Sequence, residues 1–275
     1  YFSSSNIIFS DGSDDMESYI YVKNPNSGHQ ERMNYDALFL ASGTLSTFRI
    51  VAESQKLYDK PVELFDNDHY LIPFYRNAKC NEIKGNSEFT LNELALRFKI
   101  LGQPVHMQFY PMSQQIYDRF NVILNLNSKF TKGIAKNILN KTMLAFLYLP
   151  GSISAKMEAT VRKTAPRSTI SIKQITNPNS KIILRKAMLK LFHNRAALGL
   201  TPLFFAIPSS PKGPSGAHLS SSLPMSNDPG PLQTNKFGLV HGTSNVYAVD
   251  GSVLPSLPAQ NSTFTIMANA HRIAT

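Results

Sequence analysis

Residues Gly238–Ala274 read GLVHGTSNVYAVDGSVLPSLPAQNSTFTIMANAHRIA, and four local signals arrive there in order. Val246 to Val249 is a short apolar strand. Asp250-Gly251-Ser252 turns it. Pro255 and Pro258 stiffen an extended crossing. Asn261 and Ser262 are good helix caps, and Phe264, Ile266, Met267, Ala270 and Ile273 fit a buried helix. A strand, a polar turn, a rigid crossing and a helix N-terminus therefore converge. That helix end offers backbone N–H groups and a positive dipole to something anionic or electron-rich.

A second stretch has the same character. Tyr35 to Gly43 is an apolar run ending in Ser42-Gly43, followed by a helix-like segment from Leu45 to Gln55. A buried strand that stops at Ser-Gly and bends into a helix gives this pattern, and the bend suits a phosphate. Before it, residues 1–34 read as two or three short polar strands. The middle differs. Val105 to Tyr110 alternates, with Val105, Met107 and Phe109 on one face and His106, Gln108 and Tyr110 on the other. Residues 144–149 and 168–175 read as strands, 130–142 as a short amphipathic helix, and Ser180 as the cap of a helix to about Ala197. Residues 56–103 give no regular pattern. Residues 208–235 form a long Ser, Pro and Gly-rich connection, which is either functional or mobile.

Composition narrows the class. The 275 residues are 42% hydrophobic and 17% charged, a globular balance with room for one large or two modest domains. The longest purely apolar run, Met143 to Leu149, has seven residues, far short of the roughly 20 of a spanning helix. Cys80 is the single cysteine, so no internal disulfide exists, and it has no evident activating partner. The chain begins at Tyr1 with no leader pattern and is expected to be a piece of a longer protein. Its net charge of +10 is uneven: Lys129 to Arg195 holds fourteen Lys or Arg against one acid, Glu158. This basic stretch reads either as a solvated surface or as a face for anionic membrane or glycan. Nucleic acid is disfavoured, since no zinc-finger spacing, RNP-like motif or recognition helix is present. No His lies at ligand-like spacing to Cys, Asp or Glu, so no metal site is expected. Neither a G-x-S-x-G elbow nor a phosphate-binding P-loop occurs, which weighs against hydrolases and NTPases.

The C-terminal stretch resembles the closing signature of the glucose-methanol-choline (GMC) family of flavin-dependent alcohol oxidoreductases. That signature runs from a strand through Asp-Gly-Ser, a proline, and Asn with a Thr, to an apolar helix ending Arg-Ile-Ala. It maps onto Val246–Val249, Asp250-Gly251-Ser252, Pro255, Asn261 with Thr263, and Arg272-Ile273-Ala274. Upstream, Ala217 to Met225 fits the family's His-x-x-Gly-Thr-x-x-Met frame on His218. Ser221 stands where the family usually has Gly, Ser222 where it has Thr, and Ser262 where Pro follows Asn. The family's opening G-x-G-x-x-G run has no counterpart here. By resemblance the N-terminal flavin-binding half is missing, and this piece alone is expected to bind FAD poorly or not at all.

The resemblance implies an α+β substrate domain on an antiparallel sheet, over residues 61–207. It also implies a partial α/β, Rossmann-like FAD-binding domain formed by the chain ends, residues 1–60 and 208–275, with the catalytic loop in the latter. The implied cofactor is FAD, and the implied substrate is a small alcohol or sugar. Oxidising a CH–OH group removes a hydride and a proton, and an imidazole suits the proton near neutral pH. His218 is the candidate base. The Asn261 amide would orient the hydroxyl without titrating. Ser42, Gly43, Asp250, Gly251, Ser262 and Thr263 would contact the cofactor, and the helix starting near Ser262 would stabilise negative charge. His106, Gln108 and Tyr110 would line the substrate pocket. The electron acceptor is unspecified. The expected location is cytoplasmic, with a peripheral contact to anionic membrane or glycan. The rival reading is a non-catalytic fragment that binds such a surface through its basic middle.

Overall fold

The computed structural model describes residues 7–11, 17–23, 29–77, 92, 94–110, 141–164, 168–203 and 218–275. The expected helix over 130–142 and the first part of the 208–235 connection lie largely outside these residues. Two compact units emerge. The first takes residues 1–67, 151–177 and 213–275; the second takes 68–150 and 178–212. The segment 61–207, expected to form one domain, is thus shared between the units.

The first unit begins with an antiparallel meander of β1 (Ile7–Ser10), β2 (Tyr19–Lys23) and β3 (Gln30–Asn34), paired Ile7 to Val22 and Tyr19 to Asn34. Next come β4 (Leu38–Leu40) and α1 (Thr44–Ser54). Phe48, Ile50, Val51 and Ala52 of α1 are fully buried, so this helix is enclosed by core rather than laid on a surface. They pack with Leu40, Leu64, Met157, Val161, Leu223, Val246 and Val253. A second antiparallel sheet has the order β11 (Thr169–Ile175), β10 (Lys156–Arg162), β5 (Pro61–Phe65). Met157, Ala159 and Val161 alternate inward along β10. β13 (Val246–Ala248) lies parallel to β4, with Val246 opposite Leu38 and Ala248 opposite Leu40.

The second unit is built on a five-stranded antiparallel sheet in the order β12 (Leu200–Pro202), β6 (His69–Arg76), β9 (Thr142–Tyr148), β8 (Gln103–Tyr110), β7 (Leu94–Ile100). Ile72, Phe74, Val105, Met107, Phe109 and Leu147 are buried within it. The helix α2 (Pro178–His193) buries Ile183, Ala187, Met188 and Leu191, and the short α3 (Arg195–Leu198) ends at Gly199, whose φ of 65° only glycine adopts readily. Ser180 sits inside the first turn of α2 rather than at its cap. The helix starts two residues earlier at Pro178, whose fixed φ and missing N–H suit a first helical position.

Residues 56–103 contain β5, β6 and β7, contrary to the irregular reading. β6 hides because HYLIPFYR is apolar on both faces and carries Pro73. The Pro73 carbonyl accepts from Leu203 N, just past the end of the edge strand β12. A residue without an N–H is tolerated where the neighbouring strand runs out.

The last helix, α4 (Thr263–Ala274), corrects a second expectation. None of its residues is buried; Phe264 is 83% exposed and Met267 61%. Only Ile266, Asn269, Ala270 and Ile273 are half-buried. Their spacing is a narrow helical stripe that docks on the first unit. The apolar count was right for a helix, but Phe264 and Met267 lie off the stripe.

Candidate functional site

β4 ends at Leu40, and Ala41-Ser42-Gly43 bends the chain into α1. Gly43 has φ 88° and ψ 152°, a region that side chains with a Cβ avoid, and the space beside its Cα is open. The bend is held from the far end of the chain. Asp250 is buried, and its Oδ2 accepts from Gly43 N at 2.8 Å and from Thr47 Oγ1 at 2.5 Å. Thr47 Oγ1 in turn accepts from Ser42 N at 3.2 Å. The other oxygen, Oδ1, accepts from Ser252 N at 2.9 Å and so closes the 3-10 turn Gly251–Val253. One carboxylate thus caps α1 and orders the turn after β13.

A third strand of chain completes the site. Thr44 Oγ1 donates to Leu219 O at 2.7 Å, and Ser222 Oγ donates to Thr44 O at 2.8 Å. Ser221, Leu223 and Met225 donate their amides to Gly251, Ser252 and Val253 carbonyls. A Cβ on Gly251 would meet Thr44 Oγ1 at 3.1 Å and Leu219 O at 3.2 Å, a tight fit that those atoms would have to relieve by a few tenths of an ångström.

These contacts leave a cavity of about 450 Å³, lined by Ala41 to Ser46, Leu219, Asp250, Gly251 and Ile266. Four expected cofactor residues, Ser42, Gly43, Asp250 and Gly251, come together in its wall. The expectation of a phosphate at the bend needs correction in one respect. The Gly43 amide is committed to Asp250, whereas Thr44, Leu45 and Ser46, which also line the cavity, have amides that precede the first intrahelical bond, from Thr47 N to Gly43 O. The wall fits an electron-rich group in its small side chains, its glycine cradle and these N–H groups. It fits a bare dianion less well, because Asp250 carries negative charge beside it.

Ser262 is the buried N-cap residue of α4, but its side chain makes no capping hydrogen bond, and Asn261 is exposed. The expected side-chain capping is therefore not made by Ser262, which leaves the helix's first-turn amides for another partner. Thr263 opens the helix and is exposed. His218 is half-buried, one residue before Leu219, with Nδ1 shielded from solvent. His218, Asn261, Ser262 and Thr263 lie outside the lining of the 450 Å³ cavity.

The substrate candidates sit in the second unit. His106 is 3% exposed and Gln108 is also buried, while Tyr110 is half-buried and donates through its hydroxyl to Gln108 Oε1 at 2.8 Å. Burial, then the positive charge of Arg97, holds the His106 imidazole below its ordinary value. Strand register adds residues that sequence reading missed. Tyr148 stands opposite both His69 and His106, and Phe146 opposite Gln108. The His69 ring lies 5.9 Å from both Phe146 and Tyr148, and Tyr110 packs edge-on to Phe146 at 5.6 Å. Burial pushes the Tyr148 phenol up to about 12, with Tyr110 adding to the rise. The apolar run that marks β9 as a strand also puts Phe146 and Tyr148, two residues apart, on one face; nothing in residues 56–103 announced His69.

Among the described residues no cluster of three His, Cys, Asp or Glu could hold a metal ion, and no helix is long and apolar enough to cross a membrane.

Residues 182–270 match the family model of the GMC oxidoreductase C-terminal domain. A 57-residue stretch is 40% identical to an uncharacterised GMC-type oxidoreductase of Sinorhizobium fredii, covering 21% of this chain and 11% of that protein. The fold is similar to pyridoxine 4-oxidase from Mesorbium loti, with a TM-score of 0.60, 12% identity, 97% of this chain and 55% of that one. It is also similar to an FAD-dependent oxidoreductase from Chaetomium thermophilum, with a TM-score of 0.54, 15% identity, 97% of this chain and 59% of that one. The chain thus spans a little over half the length of these two solved structures.

Proposed function

We propose that this chain, a C-terminal portion of a GMC-type oxidoreductase, serves an FAD-dependent enzyme that oxidises a CH–OH group of a polar alcohol or sugar. The observation that carries the reading is the cavity at the α1 N-terminus, whose wall joins Ser42-Gly43 to Asp250-Gly251 through one buried carboxylate. Ser42, Gly43 and Gly251 would face FAD there. Asp250 would act mainly by holding the bend, since both its oxygens already accept from the protein. The uncapped amides at the start of α4, around Ser262 and Thr263, would hold negative charge by hydrogen bonding and helix dipole.

When bound, FAD supplies the two-electron acceptor. The protein's part is positioning and proton movement. The Asn261 amide would hold the substrate hydroxyl in one orientation. His218 would accept the hydroxyl proton on its imidazole as the C–H bond breaks. His106, Gln108 and Tyr110 would line the substrate side, with His106 favouring its neutral form through burial. Replacing His218 with Ala should abolish flavin reduction by substrate while leaving flavin binding largely intact; unchanged reduction would remove the base assignment.

The second reading is a surface-binding role, on its own or beside the first. The outer face of α2 exposes Lys181, Arg185, Lys186 and Lys190 around Ile182 and Leu189, with no acidic residue in the helix. That combination suits a peripheral contact with an anionic membrane from the cytoplasmic side. Binding to anionic vesicles should then fall steeply with added salt, and a flat salt response removes this reading.

A further inference from the structure

A second cleft of about 400 Å³ opens in the first unit, lined by Met225, Ser226, Asn227, Lys236, Asn269 and Arg272. None of these residues lines the cavity at α1. The lining carries two cations and no acid. Asp228, the nearest acid in sequence, is exposed and outside the lining; its backbone is bonded to Ser226 Oγ.

Arg272 is fixed along one edge. Its Nε and Nη2 donate to Asn269 Oδ1 at 3.3 and 2.8 Å, and Nη2 also donates to Lys236 O at 2.6 Å. The Nη1 edge has no protein acceptor among the described residues. Those two bonds also settle the Asn269 amide, because a guanidinium can only donate and the atom it meets must be the carbonyl oxygen. The Nδ2 end is then a donor by necessity. It is shielded from solvent and has no acceptor among the described residues. Being closed to solvent, that amide end is closed to a ligand oxygen as well, so the donors open to the cleft among the described residues are the Arg272 Nη1 edge and Lys236 Nζ. Lys236 Nζ lies 5.0 Å above the Phe237 ring and has no carboxylate partner among the described residues.

A cation in the last turn of α4 also complements the helix dipole. That accounts for one charge at this place; it leaves the second cation, Lys236, unexplained. A guanidinium edge and an ammonium on a small cleft without an acid match a compact, doubly charged oxyanion. We propose that this cleft binds the phosphate group of a small phosphorylated ligand. The size of the cleft favours a small molecule over a polymer.

The test is a titration with inorganic phosphate at constant ionic strength, followed by the side-chain amide resonances of Asn269 and the backbone resonances of Lys236 and Arg272. Saturable shifts at these sites are expected. Lys236→Gln should bind about tenfold more weakly, as loss of one charge-assisted contact implies. This variant keeps the Lys236 carbonyl that anchors Arg272, so its fold is expected to survive. The proposal is overturned by absent shifts, by equal shifts with chloride, or by unchanged affinity in Lys236→Gln.

Discussion

Asp250 Oδ2 and Gly43 N meet at 2.8 Å although 207 residues separate them in sequence. This bond joins the strand-to-helix bend of one end of the chain to the turn that follows the last strand of the other. The same carboxylate takes Thr47 Oγ1 and Ser252 N. Asp250→Ala would leave three donors, Gly43 N, Thr47 Oγ1 and Ser252 N, without their buried acceptor. A loss of about 2–4 kcal/mol is expected, measured by urea unfolding. Asp250→Asn should lose less, because one amide oxygen can still accept. Equal stability of the Ala variant and the native protein would show that the bond holds nothing.

Gly43 and Gly251 should fail for different reasons. A Cβ on Gly43 meets nothing within 4 Å, but its φ of 88° with an extended ψ costs any other residue roughly 1–3 kcal/mol. Gly251 lacks that backbone problem, and its Cβ would press on Thr44 Oγ1 and Leu219 O. Unfolding measurements on Gly43→Ala and Gly251→Ala should both show losses. Crystal structures should show an altered bend in the first and displaced Thr44 and Leu219 in the second.

Ser221 has φ 74°, the left-handed region, at the position where the resembling family usually carries Gly. Its hydroxyl offsets the strain by donating to Leu254 O at 2.5 Å. Ser221→Ala keeps the strain and loses the bond, so it should cost about 1–3 kcal/mol. Ser221→Gly loses the bond but relieves the backbone and should cost clearly less. Denaturation curves that rank Gly below Ala would contradict this.

The lowered pKa of His106 sets a pH dependence. Above its ordinary value of 6.5, both folded and unfolded states hold it neutral, and stability is at its full level. As pH falls through that value, the unfolded chain takes a proton that the buried imidazole resists. Stability should therefore drop on acidification from about pH 7 towards pH 5. His106→Gln should flatten that part of the curve. An unchanged slope in the variant would show that His106 is not responsible.

How much was legible in sequence depended on whether a signal was local. The bend at Ser42-Gly43, helix α1, the alternation of β8 and the Asp250-Gly251-Ser252 turn each announce themselves within ten residues. β6 does not, because burial on both faces erases alternation and Pro73 argues against a strand. β10 alternates in KMEATVR, a signal the sequence reading passed over, and its cross-strand partner β5 lies far away in sequence. At the site, Asp250 was identifiable as a turn residue, but its bond to Gly43 is a long-range contact that no local pattern encodes. Helix α4 shows the opposite limit. Its apolar residues mark a helix, yet periodicity says nothing about what covers Phe264.

The central claim is a redox one, and the most direct measurement is the visible absorption spectrum of the longest native form of this protein, taken anaerobically during titration with alcohols and sugars. The account predicts a flavin spectrum that bleaches with one class of CH–OH compound and fails to bleach in His218→Ala. A colourless protein that takes up no added FAD would contradict it.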